Sequence, residues 1–485
     1  MNQKPSVAKN VVWNWIRVLV GIIFPLVSFP YISRVLGPDG IGKVGYIYSI
    51  VGYFSLVAIL GVPNYGIKEG AKLRDDQEKL GKFTTEMVII NIATSVLSTA
   101  AYLCLLAFPA FQNYKALIII MVGYIPLSSL GLAWVFQVFE DYRRITIQTI
   151  CIQAISLALL FLLVRDSDDY LQYAFVHVFS SMGSNVLYLV SASRRVKLFG
   201  YKNYNIKKHL KPILILFGMG AASTLYLNFD STMLGSIVGD TSVGLYSAAN
   251  KVTVIVSTLL SSICGVILAR MAYYVGIDQQ EKFRNLLRNT IICMLMLSIP
   301  ASIGLILLSQ PIVLILCGEQ YLDAVPAMCI LSANLIIAPI NGLIAYQVLL
   351  PYNREKYSAI ATVAGAVLNL SLNYFVIPQF MQTGAAATTL VSEWCVFAIC
   401  VFAARDLLRN LNIAKNIFQI IAGCVPILAV GVLINNITQS SWLRVLLITP
   451  IGGISYFLVL MPMKNDMLLY LIEPIKHRLF KKIRR

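Results

Sequence analysis

The chain has 485 residues, of which 58% are hydrophobic and only 13% are charged, and its mean hydropathy is +0.75. Soluble domains carry about 25% charged residues, so the composition excludes a water-soluble globular fold. The net charge of +17 could indicate nucleic-acid binding, but the basic residues lie in short segments between apolar runs. That pattern indicates membrane topology and attraction to anionic lipids, and no nucleic-acid partner is expected.

Fourteen long apolar runs predict transmembrane helices, because a helix of about 20 residues crosses the ~30 Å hydrocarbon core of a bilayer. The runs do not alternate between polar and apolar residues, as the strands of a membrane barrel would. The predicted fold is all-α and polytopic, with spans near 9–33, 44–65, 83–108, 116–139, 145–164, 171–192, 212–237, 245–270, 289–310, 327–350, 357–378, 385–404, 416–434 and 443–462.

Lysine and arginine are distributed unequally between the two sides of the predicted membrane. Of the 39 such residues, 31 lie in segments on the same side as the N-terminus, and five lie in the opposite loops. Positively charged loops remain in the cytoplasm. The sequence therefore predicts a multi-pass protein with both termini in the cytoplasm. The basic tail after residue 463 mixes apolar and cationic side chains, which is typical of an amphipathic segment at the membrane interface.

A weak internal repeat divides the predicted spans into two halves. Ile41-Gly42 follows the first span as Val243-Gly244 follows the seventh, at an offset of 202 residues. Parallel six-helix lobes are a known transporter plan, although chance similarity would give the same match. We expect two pseudo-symmetric six-helix lobes at 1–204 (spans one to six) and 205–408 (spans seven to twelve). Residues 409–485 then hold spans thirteen and fourteen and the basic tail.

Residue patterns that would indicate an enzyme were tested and rejected. Gly37–Val44 matches the GxxxxGK spacing of a P-loop, but Val44 replaces the serine or threonine that would bind magnesium, and no strand precedes it. The outward loops are short and hold no paired carboxylates beside a positioned base. Nine scattered cysteines and three distant histidines form no ligand spacing. No catalytic residue, metal site or cofactor is expected.

Polar residues inside the spans are the candidate functional residues, because a charge in the bilayer usually faces a cavity or a partner. Asn14 and Arg17 share one face of the first span. The arginine could bind phosphate oxygens or could extend to the cytoplasmic interface. Asp230 in span seven and Lys251 in span eight could form an ion pair, or one could contact substrate while the other adjusts its pKa.

Two further groups lie in the second half of the chain. Glu393, deep in span twelve, is a candidate for proton or ion coupling, with Asp230 as a second candidate. A structural, hydrogen-bonded carboxyl is an equally good interpretation of Glu393. Asn369 and Asn373 belong to a polar seam on span eleven that suits sugar hydroxyls or helix packing equally.

Several segments of the sequence closely resemble bacterial polysaccharide repeat-unit flippases (Wzx-type). These proteins belong to the multidrug/oligosaccharidyl-lipid/polysaccharide (MOP) exporter superfamily. The segments that carry the resemblance are Pro25–Gly37 with Ile41-Gly42, Tyr53-Phe54 and Gly61–Glu69 in the first half, and Asp230–Gly235 and Val243–Ala249 in the second.

The resemblance implies a location in the bacterial cytoplasmic membrane and a substrate, an undecaprenyl-diphosphate-linked oligosaccharide carried from the inner to the outer leaflet by alternating access. A cationic, polar-lined central cavity would carry its head group, because unsatisfied polar groups are costly in hydrocarbon. Arg17 and Lys251 are the expected diphosphate contacts, with Arg34 at the outer mouth. Expected partners are this substrate, membrane lipids and other glycan-assembly proteins. The alternatives are a cation-coupled drug exporter of the same superfamily, a glycan polymerase or ligase, and a scaffold subunit of a glycan-assembly complex.

Overall fold

The computed structural model describes residues 7–409 and 411–463. Within this range the described part excludes the side chains at 7, 8, 11, 219, 220, 222, 223, 227, 263–266 and 269. The amphipathic tail predicted after residue 463 lies outside the described residues. By the density of internal contacts, the chain falls into two compact units, unit 1 at residues 1–244 and unit 2 at residues 245–485. The predicted lobes at 1–204 and 205–408 stay a prediction.

Unit 1 is mostly helical over its described length, and its longest irregular segment is 194–206. Its α-helices are α1 Val7–Ile59, α2 Val62–Leu73, α3 Gln77–Leu103, α4 Lys115–Met121, α5 Tyr124–Ser129, α6 Ala133–Val138, α7 Tyr142–Leu163, α8 Tyr170–Ser193 and α9 Lys207–Ile237. Two 3₁₀ turns, Cys104–Ala107 and Pro109–Tyr114, connect α3 to α4.

Unit 2 begins inside α10, Asp240–Gly276, whose first five residues belong to unit 1. Its further α-helices are α11 Gln280–Leu307, α12 Ser309–Leu316, α13 Val325–Asn334, α14 Ala338–Gly342, α15 Glu355–Ala403, α16 Arg405–Leu408, α17 Ala414–Ile437 and α18 Ser441–Leu460. A 3₁₀ turn at Glu319–Ala324 precedes α13, and a π-helical segment at Leu343–Leu349 follows α14.

The predicted all-α, multi-span architecture is confirmed. In the described residues, ten helices are long and apolar enough to cross a membrane, or eleven if the bent pair Pro109–Met121 and Tyr124–Val138 forms one span. This number is below fourteen partly because α1 covers the first two predicted spans and α15 covers spans eleven and twelve. Each of these helices is interrupted once by non-helical backbone, at Gly37 (φ 66°, ψ −179°) and at Met381 (φ 49°, ψ −131°). Positive φ at Gly37 costs little because glycine has no Cβ.

The segment 66–82, between the second and third predicted spans, is expected to be a loop, but it includes most of α2. The helix begins after Gly61, which has a left-handed backbone (φ 76°), and a proline occupies its first turn. Tyr65, Gly66 and Gly70 recur at helical spacing and are buried. A Cβ at Gly66 would lie 2.7 Å from the Trp134 ring of α6. The polar residues of this segment suggested a loop, whereas its buried stripe makes it a helix.

The core of unit 1 is aromatic and lies where α2, α3, α6 and the start of α9 meet. Phe83 packs edge-to-face on Trp134, with ring centroids 5.9 Å apart, and the Tyr65 ring is also 5.9 Å from Phe83. Both Phe83 and Trp134 are under 5% exposed. Edge-to-face aromatic pairs contribute about 0.5–1.5 kcal/mol beyond their buried area. This cluster fixes the first turns of α2 and α9 against α3.

The core of unit 2 is built mainly from α11, with further residues from the π-helical segment, α15, α17 and α18. Phe283, Leu287 and Met294 of α11 are fully buried, and the Tyr456 hydroxyl of α18 donates to the Met296 carbonyl at 2.9 Å. Large apolar side chains on the outside remain exposed, such as Phe418 and Ile437 of α17 at 69% and 72%. Lipid chains are as apolar as these side chains, so such a surface is stable within a membrane.

Candidate substrate path

The first segment of α1 presents a polar face that is centred on Arg17. Its Nη2 donates to the Asn14 Oδ1 at 2.9 Å, and its Nε reaches the same oxygen at 3.3 Å. Both side chains are half-buried, whereas Trp15 and Leu19 on the other face are 62% and 52% exposed. A guanidinium has five N–H donors. Among the described residues only Asn14 accepts from Arg17, so most of these donors are available to an anionic ligand.

The second segment of α1 and the helix α9 share a line of hydroxyl and amide groups. Thr232 Oγ1 lies 2.8 Å from Ser49 Oγ and 2.9 Å from the Tyr53 hydroxyl, and it donates to the Asn228 carbonyl at 3.0 Å. We call these four residues the polar strip. Asp230, two residues before Thr232, is 5% exposed. Tyr53, Asn228 and Thr232 are half-buried, whereas Ser49 is 2% exposed. The half-buried hydroxyl and amide groups can exchange hydrogen bonds with a sugar.

Arg34 lies beyond the polar face that contains Arg17. Seventeen residues separate the two arginines, which corresponds to roughly 25 Å of helix. The Arg34 side chain is exposed. Nine residues further on, Lys43 Nζ pairs with Asp39 at 2.7 Å and lies 5.1 Å from the centre of the Tyr170 ring. The structure therefore places Arg17 and Arg34 at separate points along α1.

Helix α1 also contacts the first residues of α10, through glycines. A Cβ at Gly42 would overlap the backbone carbonyl of Asp240, and a Cβ at Gly244 would overlap the backbone carbonyl of Pro38. Adding 202 to 38 and 42 gives 240 and 244, so each contact maps onto the other with the two positions exchanged. Such a reciprocal contact has a two-fold form. The Tyr114 hydroxyl donates to both carboxylate oxygens of Asp240, at 2.8 and 2.9 Å.

The polar candidates of unit 2 are held by neighbouring side chains. Asn341 Nδ2 donates to Glu393 Oε2 at 2.6 Å and to the Glu393 carbonyl at 3.1 Å. Asn373 Nδ2 donates to Asn369 Oδ1 at 3.1 Å, and Thr388 donates to Asn373 Oδ1. Both asparagines are 0% exposed. In this conformation their amides therefore serve the packing of the two halves of α15. Lys251, on α10, is exposed.

One buried polar cluster was not anticipated from the sequence. His209 Nε2 of α9 lies 2.8 Å from Glu86 Oε2 of α3, and its Nδ1 lies 2.8 Å from the Tyr65 hydroxyl of α2. The second Glu86 oxygen accepts from the Asn205 backbone N–H at 2.8 Å. Glu86 and His209 are 1% and 3% exposed. The sequence feature that indicates this cluster is a glutamate inside an apolar run.

Known proteins resemble this chain in sequence and in fold. Residues 7–275, more than half of the chain, match the family described as polysaccharide biosynthesis protein. The chain belongs to this family. Residues 216–375 also match the MatE family. Over 406 residues the chain is 23% identical to the "Putative O-antigen transporter" of Escherichia coli K12, across 83% of this chain and 98% of that protein. A "Probable low-salt glycan biosynthesis flippase Agl15" of Haloferax volcanii is 26% identical over 195 residues, 40% of this chain and 39% of that one.

The fold of this polysaccharide biosynthesis protein is similar to that of the lipid II flippase MurJ in an inward closed conformation. The TM-score is 0.72, over 94% of this chain and 100% of that chain, at 15% identity. At this identity the likeness concerns the fold alone. With the family matches, it confirms the predicted resemblance to Wzx-type flippases of the MOP superfamily.

Within this family member, the structure joins some of the predicted site residues and separates others. Asn14 and Arg17 form one hydrogen-bonded pair, and Asn369 and Asn373 form another. Arg34 lies apart from the first pair. The part that each plays in binding stays a prediction. Among the described residues no group of three or more histidine, cysteine, aspartate or glutamate side chains is placed to hold a metal ion.

Proposed function

We propose that this protein is a flippase that carries an undecaprenyl-diphosphate-linked oligosaccharide from the cytoplasmic leaflet to the outer leaflet of a bacterial membrane. Both termini then lie in the cytoplasm, as the charge bias indicates. Transport by alternating access needs no covalent step, and we infer that the protein is not an enzyme. Support comes from the family match and from relatives named for O-antigen transport and for glycan flipping.

The observation that carries the proposal is the Arg17–Asn14 pair on a membrane helix. An arginine in hydrocarbon is costly unless it meets water, a partner or a ligand. Here one amide oxygen accepts from two donors of the guanidinium, and the remaining donors match the oxygens of a diphosphate. The polar strip (Ser49, Tyr53, Asn228 and Thr232) continues along the second segment of α1. It would contact the sugar hydroxyls while the polyprenyl tail stays in the lipid.

The test is transport of a fluorescent undecaprenyl-diphosphate oligosaccharide in proteoliposomes that contain Arg17→Ala, Arg17→Lys or the unmodified protein at equal amounts. A hydrogen bond to a charged group contributes about 1.5–3 kcal/mol. Losing this contribution in Arg17→Ala should lower the transport rate by roughly 10- to 100-fold. Lysine keeps the charge but not the planar fork, so Arg17→Lys should recover only part of the rate.

Arg270 provides the matched control, because its guanidinium stays on its own helix, with Nε 3.0 Å from the Tyr274 hydroxyl. Arg270→Ala should transport at the unmodified rate. Equal rates for Arg17→Ala and Arg270→Ala would show that Arg17 does not contact the diphosphate. Absence of transport by the unmodified protein, with correct folding, would contradict the flippase assignment itself.

A further inference from the structure

An open cleft of about 720 Å³ lies in unit 1, where α3 and α7 begin and α8 ends. Three arginines and one carboxylate supply its charged lining: Arg144, Arg194, Arg195 and Asp141. With all four ionised, the lining has a net charge of +2. A concave surface with one sign of charge concentrates ions of the opposite sign. The first turns of α3 and α7 add the positive ends of two helix dipoles.

The single carboxylate is shared between two of the arginines. Asp141 Oδ2 lies 2.8 Å from Arg195 Nη1 and 3.7 Å from Arg144 Nε. The Arg195 guanidinium is also placed 4.2 Å from the centre of the Phe139 ring. The Arg194 guanidinium forms no ion pair or hydrogen bond with any residue that the structure describes. The cleft therefore contains cationic donors that the protein itself does not use.

An apolar surface continues from the cleft along α7. Arg143, Arg144 and Ile147 line an adjoining cleft of about 430 Å³. Ile147 is 40% exposed, and further along the same helix Ile155 and Leu162 are 49% and 60% exposed. Arg143 lies 5.9 Å from the centre of the Trp13 ring. Arginine and tryptophan together are typical of the membrane interface, where a lipid phosphate lies beside the start of its acyl chains.

We propose that this cleft binds the phosphate of an anionic phospholipid, whose acyl chains extend along the exposed apolar face of α7. Basic pockets between membrane helices are suited to such headgroups. A free phosphate ion would satisfy the arginines but would leave the apolar face unused. The proposal does not depend on what the protein transports, because the cleft shares no residue with the polar face that contains Arg17.

Binding can be measured by native mass spectrometry of the delipidated protein, titrated with phosphatidylglycerol and, separately, with phosphatidylcholine. Arg144→Gln/Arg194→Gln should weaken the first phosphatidylglycerol binding step by about tenfold, since two charged donors are lost. Arg194 pairs with no described residue, and Arg144 has only a 3.7 Å contact with Asp141 and a ring contact with Phe136 at 5.6 Å, so this change should leave the fold intact. Arg409→Gln is the matched control, because Arg409 is exposed and lies outside the cleft.

Asp141→Asn provides a second variant whose effect has the opposite sign. Asparagine can still cap the first turn of α7, where Asp141 accepts from the Arg144 backbone N–H. The cleft then gains one unit of positive charge, and phosphatidylglycerol should bind several-fold more tightly. Unchanged affinity in both variants would overturn the proposal. The proposal would also be overturned if pyrophosphate bound in a way that requires the arginines while phosphatidylglycerol bound no better than phosphatidylcholine. The cleft would then be a site for a soluble anion.

Discussion

The reciprocal glycine contacts between α1 and α10 predict a large effect from a single methyl group. A Cβ at Gly42 would overlap the Asp240 carbonyl and lie 3.1 Å from its Cα. A Cβ at Gly244 would lie 2.7 Å from the carbonyl carbon of Pro38 and 2.9 Å from its Cα. Carbon atoms pack at about 3.5–4.0 Å, so the two backbones must separate by more than about 1 Å. Backbone atoms cannot rotate away as a side chain can, so we expect each substitution to destabilise the protein by about 1–3 kcal/mol.

Thermal unfolding of the purified protein measures this effect for Gly42→Ala, Gly244→Ala and the double variant. Both contacts join the same two segments, so a separation forced by one methyl group makes room for the other. The double variant should therefore lose less stability than the sum of the single losses. Gly304→Ala is the control, because its Cβ would meet nothing within 4 Å. If Gly42→Ala unfolds at the same temperature as Gly304→Ala, or if the two losses simply add, this account of the contact is wrong.

Three further predictions concern carboxylate groups. Glu86→Gln should lower the free energy of unfolding by about 1–3 kcal/mol, because it weakens a buried hydrogen bond to His209. Thermal unfolding measures this loss. If the double variant Glu86→Gln/His209→Gln loses as much stability as the two single variants added together, the two side chains are not coupled. Arg354 binds both carboxylate oxygens of Asp406, at 2.7 and 2.8 Å, and holds the pKa of Asp406 below its usual range. Arg354→Gln should therefore be less stable at pH 7 by about 0.5–1 kcal/mol. The difference should shrink as pH falls below about 4 and Asp406 is protonated; unfolding measured across pH would refute the pairing if the difference stayed constant. Glu393→Gln should keep its hydrogen bond from Asn341 but abolish proton uptake at this position. If transport by this variant is still driven by a pH gradient, Glu393 is not the coupling residue.

The all-α, multi-span architecture was predictable because bilayer thickness sets the length of an apolar run. Most predicted spans fall on helical backbone, and the two breaks at Gly37 and Met381 lie between predicted spans. The span predicted at 116–139 instead covers the three short helices α4, α5 and α6. The prediction failed at α2, whose sequence is mixed in polarity. Its helix depends on burial of Tyr65 and Gly66 beside the ring of Trp134, a partner 68 residues away that local periodicity cannot identify.

Candidate side chains were predictable as types but not as partnerships. Spacing placed Asn369 and Asn373 on one helix face, and the structure joins them. Their link to Thr388 requires the chain to reverse between the two halves of α15, and residue spacing contains no information about that reversal. His209 was excluded as a metal ligand because no histidine or cysteine lies nearby in sequence. Its actual partner, Glu86, is 123 residues away on α3.

The balance of donors and acceptors separates two kinds of polar group in this protein. Glu86 is matched by donors from His209 and Asn205, so its hydrogen bonds are already used to position α3 against α9. Arg17 and Arg194 instead have more donors than the described protein atoms accept. An unmatched guanidinium near hydrocarbon is stable only with water or an anion beside it. Surplus donors therefore indicate binding positions, whereas depth in the membrane alone does not. By this criterion Arg17 is a stronger candidate for substrate contact than Asn369 and Asn373, whose amides are hydrogen-bonded to each other.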